Sequence, residues 1–254
     1  MLGDTGFDTV NMKISTIIQA RMGSTRLPGK VMKDLGGKTV LARVVNRLQR
    51  SRFANDIIVA TTTAPADDAI VEECQRLSVE WFRGEELDVL DRYYRAAERA
   101  GTEAIVRITS DCPMIERETT DAVIQAFLEQ KPDYASNALQ RTYPRGLDTE
   151  IMSWDALQRN WREARASYQR VHVTPYIYEN PDLFRIVKVT GDQDYSAYRW
   201  TLDTTEDLDF MRTVYQRFGN DDTFYWKDAI ALMEREPAIV AINSHVTMKA
   251  LQEG

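Results

Sequence analysis

The chain has 254 residues, 39 acidic against 32 basic, for a formal charge of −7; that length buries a substantial core, and the balance excludes the overall positive field of a nucleic-acid binder. Cys74 and Cys112 are its two cysteines, too few for a disulfide framework or a four-thiolate zinc site, and both are expected to be reduced, packed thiols. No apolar run reaches the ~18 residues that span a bilayer, and the opening residues lack the basic-then-apolar order of a signal peptide, so no membrane contact and a cytoplasmic location are expected.

Taken in chain order, residues 1–11 read as a loose extension ahead of Met12. Ile14 to Gln19 is a short β-branched run, and Lys38 to Arg50 places Val40, Leu41, Val44, Val45 and Leu48 at helical spacing. Ile57 to Ala60 repeats the strand signal, Asp67 to Leu77 the helix, Glu80 to Phe82 a short strand, and Val89 to Ala100 another helix. Ala104 to Ile108 reads as a strand buried on both faces, followed by a helix from Thr119 to Leu128. Strands alternating with helices indicate crossover units and a mostly parallel sheet covered on both sides.

The alternation breaks after Pro132. Tyr134 to Met152 carries strand-like pieces around Tyr143-Pro144-Arg145-Gly146, and Ser153 is placed to cap a helix through Trp161. Tyr168 to Tyr178 is an apolar segment stopped by Asn180-Pro181; Phe184 to Val189 and Tyr198 to Leu202 read as strands returning to the sheet. Thr204 and Asp207 form a capping pair for a helix through Phe218. The expected organisation is one α/β domain over residues 12–254, with an inserted arm at about 134–190.

Between the first strand and the first helix lies A-R-M-G-S-T-R-L-P-G-K, Ala20 to Lys30. It gathers Arg21, Arg26 and Lys30 around Gly23, Ser24, Pro28 and Gly29. A loop at the carboxyl end of a parallel strand sits where open sheets bind ligands, and free N–H groups with guanidinium forks suit phosphate oxygens. Taken alone, the segment suits phosphate better than the alternative, a solvated basic turn, which stays open. It is neither a Walker A loop, since Ser24 stands where the first glycine belongs and Val31 follows Lys30, nor a G-x-G-x-x-G fingerprint.

Two aspartates lie directly after strands. Asp111 sits in R-I-T-S-D-C-P and Asp203 in R-W-T-L-D-T-T-E-D-L; each suits either a plain turn or a divalent-cation ligand. Arg83 and Gly84 open a loop before the helix at Val89 and suit a nucleotide pocket or simple packing. Tyr143 to Glu150 (Y-P-R-G-L-D-T-E) offers Arg145, Asp148 and Glu150, either to a bound sugar or to a surface hairpin, and His172 stands with Arg170 in Q-R-V-H-V-T-P.

The loop resembles the A-R-x-x-S-x-R-L-P-G-K segment of the cytidylyltransferases that activate acidic sugars, the synthetases of CMP-Kdo and CMP-sialic acid. Asp203 to Leu208 resembles their D-T-P-E-D-L segment, with Thr205 in place of proline, and Arg83 to Tyr94 is similar to R-G-x-x-x-D-V-L-x-R-Y-Y of the spore coat polysaccharide biosynthesis protein F branch. The resemblance spans about Met12 to Phe218. It implies a Rossmann-like fold of the GT-A nucleotidyltransferase type, a homodimer, and transfer of CMP from CTP to a sugar acid or sugar phosphate with release of pyrophosphate, in glycan precursor synthesis.

It further implies that Arg21 and Lys30 act on the triphosphate and the departing pyrophosphate. Ala20, Gly23, Ser24, Arg26, Arg83 and Gly84 would complete the nucleotide site. Asp111 and Asp203 would hold Mg²⁺ or Mn²⁺, and Arg145, Asp148, Glu150 and His172 would meet the acceptor. Two rival readings stay open: a GT-A glycosyltransferase consuming a nucleotide sugar, whose second D-x-D aspartate Asp111-Cys112-Pro113 does not supply, and a catalytically silent nucleotide-binding module.

Overall fold

A computed structural model describes residues 12–53 and 56–247 of the chain; the expected extension at 1–11 lies outside the described residues. Seven strands form one sheet: β1 (Ile14–Gln19), β2 (Asp56–Thr62), β3 (Glu80–Gly84), β4 (Ala104–Thr109), β5 (Tyr134–Ser136), β6 (Glu150–Ser153) and β7 (Ile186–Lys188), in the order β3-β2-β1-β4-β6-β5-β7. β1 pairs in parallel with β2 and β4, and β2 with β3, while β6 runs antiparallel to both β4 and β5. The helices linking the parallel strands are α1 (Val40–Leu48), α2 (Asp68–Leu77) and α3 (Val89–Ala100), and α4 (Arg117–Gln130) follows β4.

Period-two alternation along the strands divides the core. Ile14, Ile18, Val59, Val106 and Ile151 face the layer of α1, α2 and α4, whereas Ile17, Ile58, Ile105, Tyr134 and Met152 face α3 and α5 (Trp154–Glu163). Buried Tyr93 of α3 sets its hydroxyl between the carbonyls of Ile17 (3.1 Å) and Ile108 (3.0 Å), sharing one hydrogen between them and tying the two central strands to that helix. Helices thus cover both faces, as expected.

The segment expected as an arm supplies β5, β6 and β7 to the sheet. Its α5 and α6 (Ser167–His172) pack on α3, and α7 (Pro175–Glu179) packs on α5. Tyr168 to Tyr178 is not continuous. Val173 stands between α6 and α7 at φ 73°, ψ −56°, and the Thr174 N–H donates back to the His172 carbonyl at 2.9 Å. That tight γ-turn strains a β-branched residue, whose side chain is fully buried and whose carbonyl accepts from Asn160 Nδ2 at 2.7 Å.

Tyr198 to Leu202 is not a strand. Its neighbours belong to two separate segments: Trp200 N–H donates to Arg145 O (2.7 Å) and Leu202 N–H to Asp111 O (2.8 Å), so no ladder extends beyond a single Arg145–Arg199 bridge. Burial of Trp200 and Leu202 was legible; pairing was not. Both enter a third core with α8 (Thr205–Arg217), α9 (Trp226–Arg235) and α10 (Pro237–Ala241). The Thr204–Asp207 capping box opens α8 as expected.

Candidate active site

The loop from Ala20 to Lys30 leaves the carboxyl end of β1 and is held from beneath by Asp67. That buried carboxylate accepts from the Met22 N–H (2.8 Å), the Thr62 N–H (3.0 Å) and the hydroxyls of Thr61 (3.0 Å) and Thr62 (2.6 Å). Burial opposes its ionisation, yet these donors hold its pKa below the ordinary carboxylate value. Met22 O accepts from the Ser24 and Gly29 N–H groups, at 2.8 and 3.0 Å. Gly29 stands at φ 66°, where an added Cβ would lie 3.1 Å from Met22 Cε. The N–H groups of Arg21 and Gly23 donate to no acceptor among the described residues, and remain available to phosphate oxygens.

Nothing in the sequence marked Asp67 for this role, because its one contact with the loop, to the Met22 N–H, joins residues far apart in the chain. If the loop holds the triphosphate as the resemblance implies, Asp67→Asn is expected to weaken nucleoside triphosphate binding about tenfold through one lost charge-assisted hydrogen bond of ~1.5–3 kcal/mol. Calorimetric titration checks this, and wild-type affinity would remove Asp67 from the account of the loop.

At the far end of the loop Lys30 begins a single 3-10 turn, Lys30–Met32. Its Nζ donates to Asp111 Oδ2 (2.7 Å), Asp203 Oδ1 (2.9 Å) and the Leu202 carbonyl (2.8 Å). The Leu202 N–H bond to Asp111 O sets residues 202–203 beside the end of β4, so the two aspartates foreseen as cation ligands meet on one ammonium. Burial resists charge at Lys30, but Asp111 and Asp203 raise its pKa above the ordinary lysine value. Burial likewise resists charge at Asp111, and Lys30 overcomes it, lowering the carboxyl to about 2.

Asp203 also meets Arg26 Nη2 at 3.1 Å and Arg199 Nη2 at 2.8 Å. Arg199 in turn pairs with fully buried Asp207, which accepts from the Asp203 and Thr204 N–H groups at 2.9 and 3.0 Å. Asp203 is therefore anchored by the cap of α8. Two carboxylates converging on one cation-sized position fit Mg²⁺, which takes one or two carboxylates and completes its shell with phosphate oxygens and water.

The remaining foreseen residues divide. Arg21 pairs with Glu86 at 3.2 Å on the open side of the loop, and a Cβ on Gly23 would lie 3.0 Å from the same Glu86 oxygen. Ser24 Oγ accepts from the Leu27 N–H at 3.4 Å, shaping the loop. Arg83 was foreseen in the nucleotide pocket. Instead its three nitrogens bind Thr62 O (2.7 Å), Ala64 O (2.8 Å) and Asp68 (2.6 Å), fastening β3 to the turn before α2. Gly84 is needed because a Cβ there would come within 2.8 Å of Arg92 Cγ. Buried Arg92, not singled out in the sequence, donates to the carbonyls of Glu85 (2.6 Å) and Glu86 (2.9 Å) and so shapes the loop beyond β3.

On the acceptor side, Glu150 is 7% exposed and is engaged by Arg107, Tyr134 and Thr174. Opposite Arg107 in the β4–β6 register, it is an internal ion pair in place of the acceptor contact foreseen. Arg170, close to His172 in sequence, pairs with Asp88 at 2.6 Å and with Trp161 O at 2.8 Å. Asp148 pairs with Arg141, and His172 ends α6 just before the Val173 turn. Arg145 is half-buried, with no side-chain hydrogen bond or ion pair among the described residues.

The chain matches the family described as Cytidylyltransferase over residues 15–230. It is 40% identical over 246 residues to an uncharacterized protein of Methanocaldococcus jannaschii, a match covering 95% of this chain and 99% of that one. To the spore coat polysaccharide biosynthesis protein SpsF of Bacillus subtilis it is 35% identical over 230 residues, 87% of this chain and 94% of that one. Among solved structures, a cytidylyltransferase from Leptospira borgpetersenii serovar Hardjo-bovis aligns with a TM-score of 0.88 at 34% identity, covering 94% of this chain and 100% of that one.

Proposed function

Because the chain belongs to the cytidylyltransferase family, and is thereby a nucleotidyltransferase, we propose that it transfers the CMP of CTP to a sugar acid or sugar phosphate, releasing pyrophosphate and supplying a precursor for polysaccharide synthesis. The observation that carries this is Lys30 at the end of the phosphate loop, donating at once to Asp111 and Asp203. It supports this reading because a metal–triphosphate site needs a cation and carboxylates side by side.

In this reading the free N–H groups of Arg21 and Gly23 receive phosphate oxygens. Lys30 exchanges its carboxylate partners for the triphosphate and meets the charge that grows on the departing pyrophosphate. Asp111 and Asp203 would hold Mg²⁺ or Mn²⁺, which supplies charge neutralisation and alignment of the phosphates when bound. An acceptor oxygen attacks the α-phosphorus in line, so that positioning and electrostatics carry the chemistry. Arg145, whose backbone is bridged to Arg199, the partner of Asp203, would meet the acceptor.

The test incubates the full chain and Mg²⁺ with each of the four ribonucleoside triphosphates and a panel of sugar acids and sugar 1-phosphates, reading pyrophosphate. Release with CTP and one acceptor class is expected. No release with any pair, together with glycosyl transfer from a preformed nucleotide sugar, would overturn the proposal.

A further inference from the structure

Residues 199–203 pass the active site with alternating fates. Trp200 and Leu202 enter the third core, whereas Arg199 and Asp203, of the other parity, meet each other at 2.8 Å beside Lys30. Thr201 has the parity of Arg199 and Asp203 and lies between them. Six buried side-chain polar atoms lack a partner among the described residues, and Arg199 Nη1 and Thr201 Oγ1 are two of them. A buried donor left unmade is costly, and residues 199–201 carry three such atoms; Trp200 Nε1 turns with its ring into the third core, so Arg199 Nη1 and Thr201 Oγ1 are the two at the edge of the reaction site that need a physical reason.

The neighbouring loop provides a third donor. Arg145 and Arg199 form an isolated parallel bridge, which sets their backbones side by side. Gly146 makes this approach possible: at φ 107°, an added Cβ would lie 2.3 Å from the Trp200 carbonyl oxygen. The Arg145 guanidinium is desolvated by burial and stands near the like charges of Arg141 and Arg199, which together hold its pKa below the ordinary arginine value. Arg141 is neutralised by Asp148, and Arg199 by Asp203 and Asp207. Arg145 alone of the three has no salt bridge among the described residues, Asp148 acting on it only as a nearby charge already engaged by Arg141.

We propose that Arg145, Arg199 Nη1 and Thr201 Oγ1 form one donor subsite that takes an oxyanion of the acceptor, a carboxylate or a phosphate, beside Asp203. This rests on the transferase reading above and adds to it Thr201 and Arg199 as acceptor-selecting residues. The subsite satisfies the orphaned donors only when filled, and it selects acceptors carrying an anionic group near the attacking oxygen. A neutral sugar leaves a desolvated guanidinium unpaired and is rejected.

The experiment compares the full-length wild type with Thr201→Val and Arg145→Met by thermal unfolding, with acetate or inorganic phosphate titrated against chloride at matched ionic strength. Each titration is run with and without Mg²⁺ and the α,β-methylene analogue of CTP, which fills the triphosphate site. Removing a ligand-reserved hydroxyl relieves an unmet donor, so Thr201→Val is expected to raise the midpoint of the free protein by about 2–4 °C. Both variants are expected to lose the anion-dependent rise, with affinity weakened at least about tenfold. A stronger response to acetate assigns a carboxylate acceptor, and a stronger one to phosphate a phosphorylated acceptor. A lower midpoint for Thr201→Val, an unaltered anion response in both variants, or no response of the wild type beyond chloride overturns the subsite. Failure of the CTP analogue to bind while the anion response follows expectation would instead overturn the transferase reading and leave the subsite standing.

Discussion

Lys30→Met is expected to lower kcat/KM for CTP by about 10³-fold, the loss typical of removing one preorganised charge from a developing oxyanion. Stability should fall too. In the free protein Lys30 is the counter-ion shared by Asp111 and Asp203, and methionine leaves two partly buried carboxylates facing each other. Breaking a fully buried pair costs about 3–5 kcal/mol; because Asp203 keeps Arg26 and Arg199, about 2–3 kcal/mol is expected here. At the ~2–4 °C per kcal/mol typical of chains of this size, that is a fall of roughly 5–10 °C in Tm. Added Mg²⁺ should restore more of the midpoint in the variant than it adds to the wild type, since the carboxylates no longer have an ammonium between them. Near-wild-type turnover would remove Lys30 from the triphosphate site. An equal Mg²⁺ effect on both proteins would show that it is not the counter-ion of the pair.

Asp111→Asn should lose activity by more than the ~10- to 100-fold that changes behind a metal ligand cause, because the amide keeps the shape and removes the charge. Its pH signature is separate from turnover. Asp111 has a folded pKa of about 2 against an ordinary 3.8, so its ionised form contributes stability that is complete above about pH 4 and disappears as pH falls toward 2. The stability gap between wild type and Asp111→Asn should therefore be constant near neutrality and close between about pH 4 and 2. Denaturant midpoints measured across that range check this. A gap that persists undiminished at pH 2 would exclude the Lys30–Asp111 pair as its source.

The parallel half of the fold was legible because its signals are local. β1 and α3 fall on the residues read from the sequence, Ile14–Gln19 and Val89–Ala100. A β-branched run ending at a polar loop specifies the first, and an Asp88 cap with left-handed Gly101 bounds the second. Tyr198 to Leu202 failed for the opposite reason: its apolar alternation reports burial correctly, but a strand also needs a partner that runs alongside it. The break at Val173 was hidden because valine is among the residues least suited to positive φ, and only the surrounding packing holds it there.

The same division runs through the site. Residue types and spacing by themselves determined a phosphate-suited loop from Ala20 to Lys30 and carboxylates at the ends of two segments, since loop chemistry is written in consecutive residues. Which charges remain available was decided by tertiary structure. Glu150 and Arg83 carry the right groups for ligand binding, yet β-sheet register sets Glu150 opposite Arg107, and Arg83 closes onto Thr62, Ala64 and Asp68. Asp67, unremarkable in sequence, and Arg92, present there only as one position of a resembled motif, became the supports of the loops after β1 and β3. Ion pairing acts over a few ångströms in space and is indifferent to separation along the chain. The sequence therefore named Lys30, Asp111 and Asp203 as candidates, and only the packing of the Leu202 segment against the end of β4 made them one site.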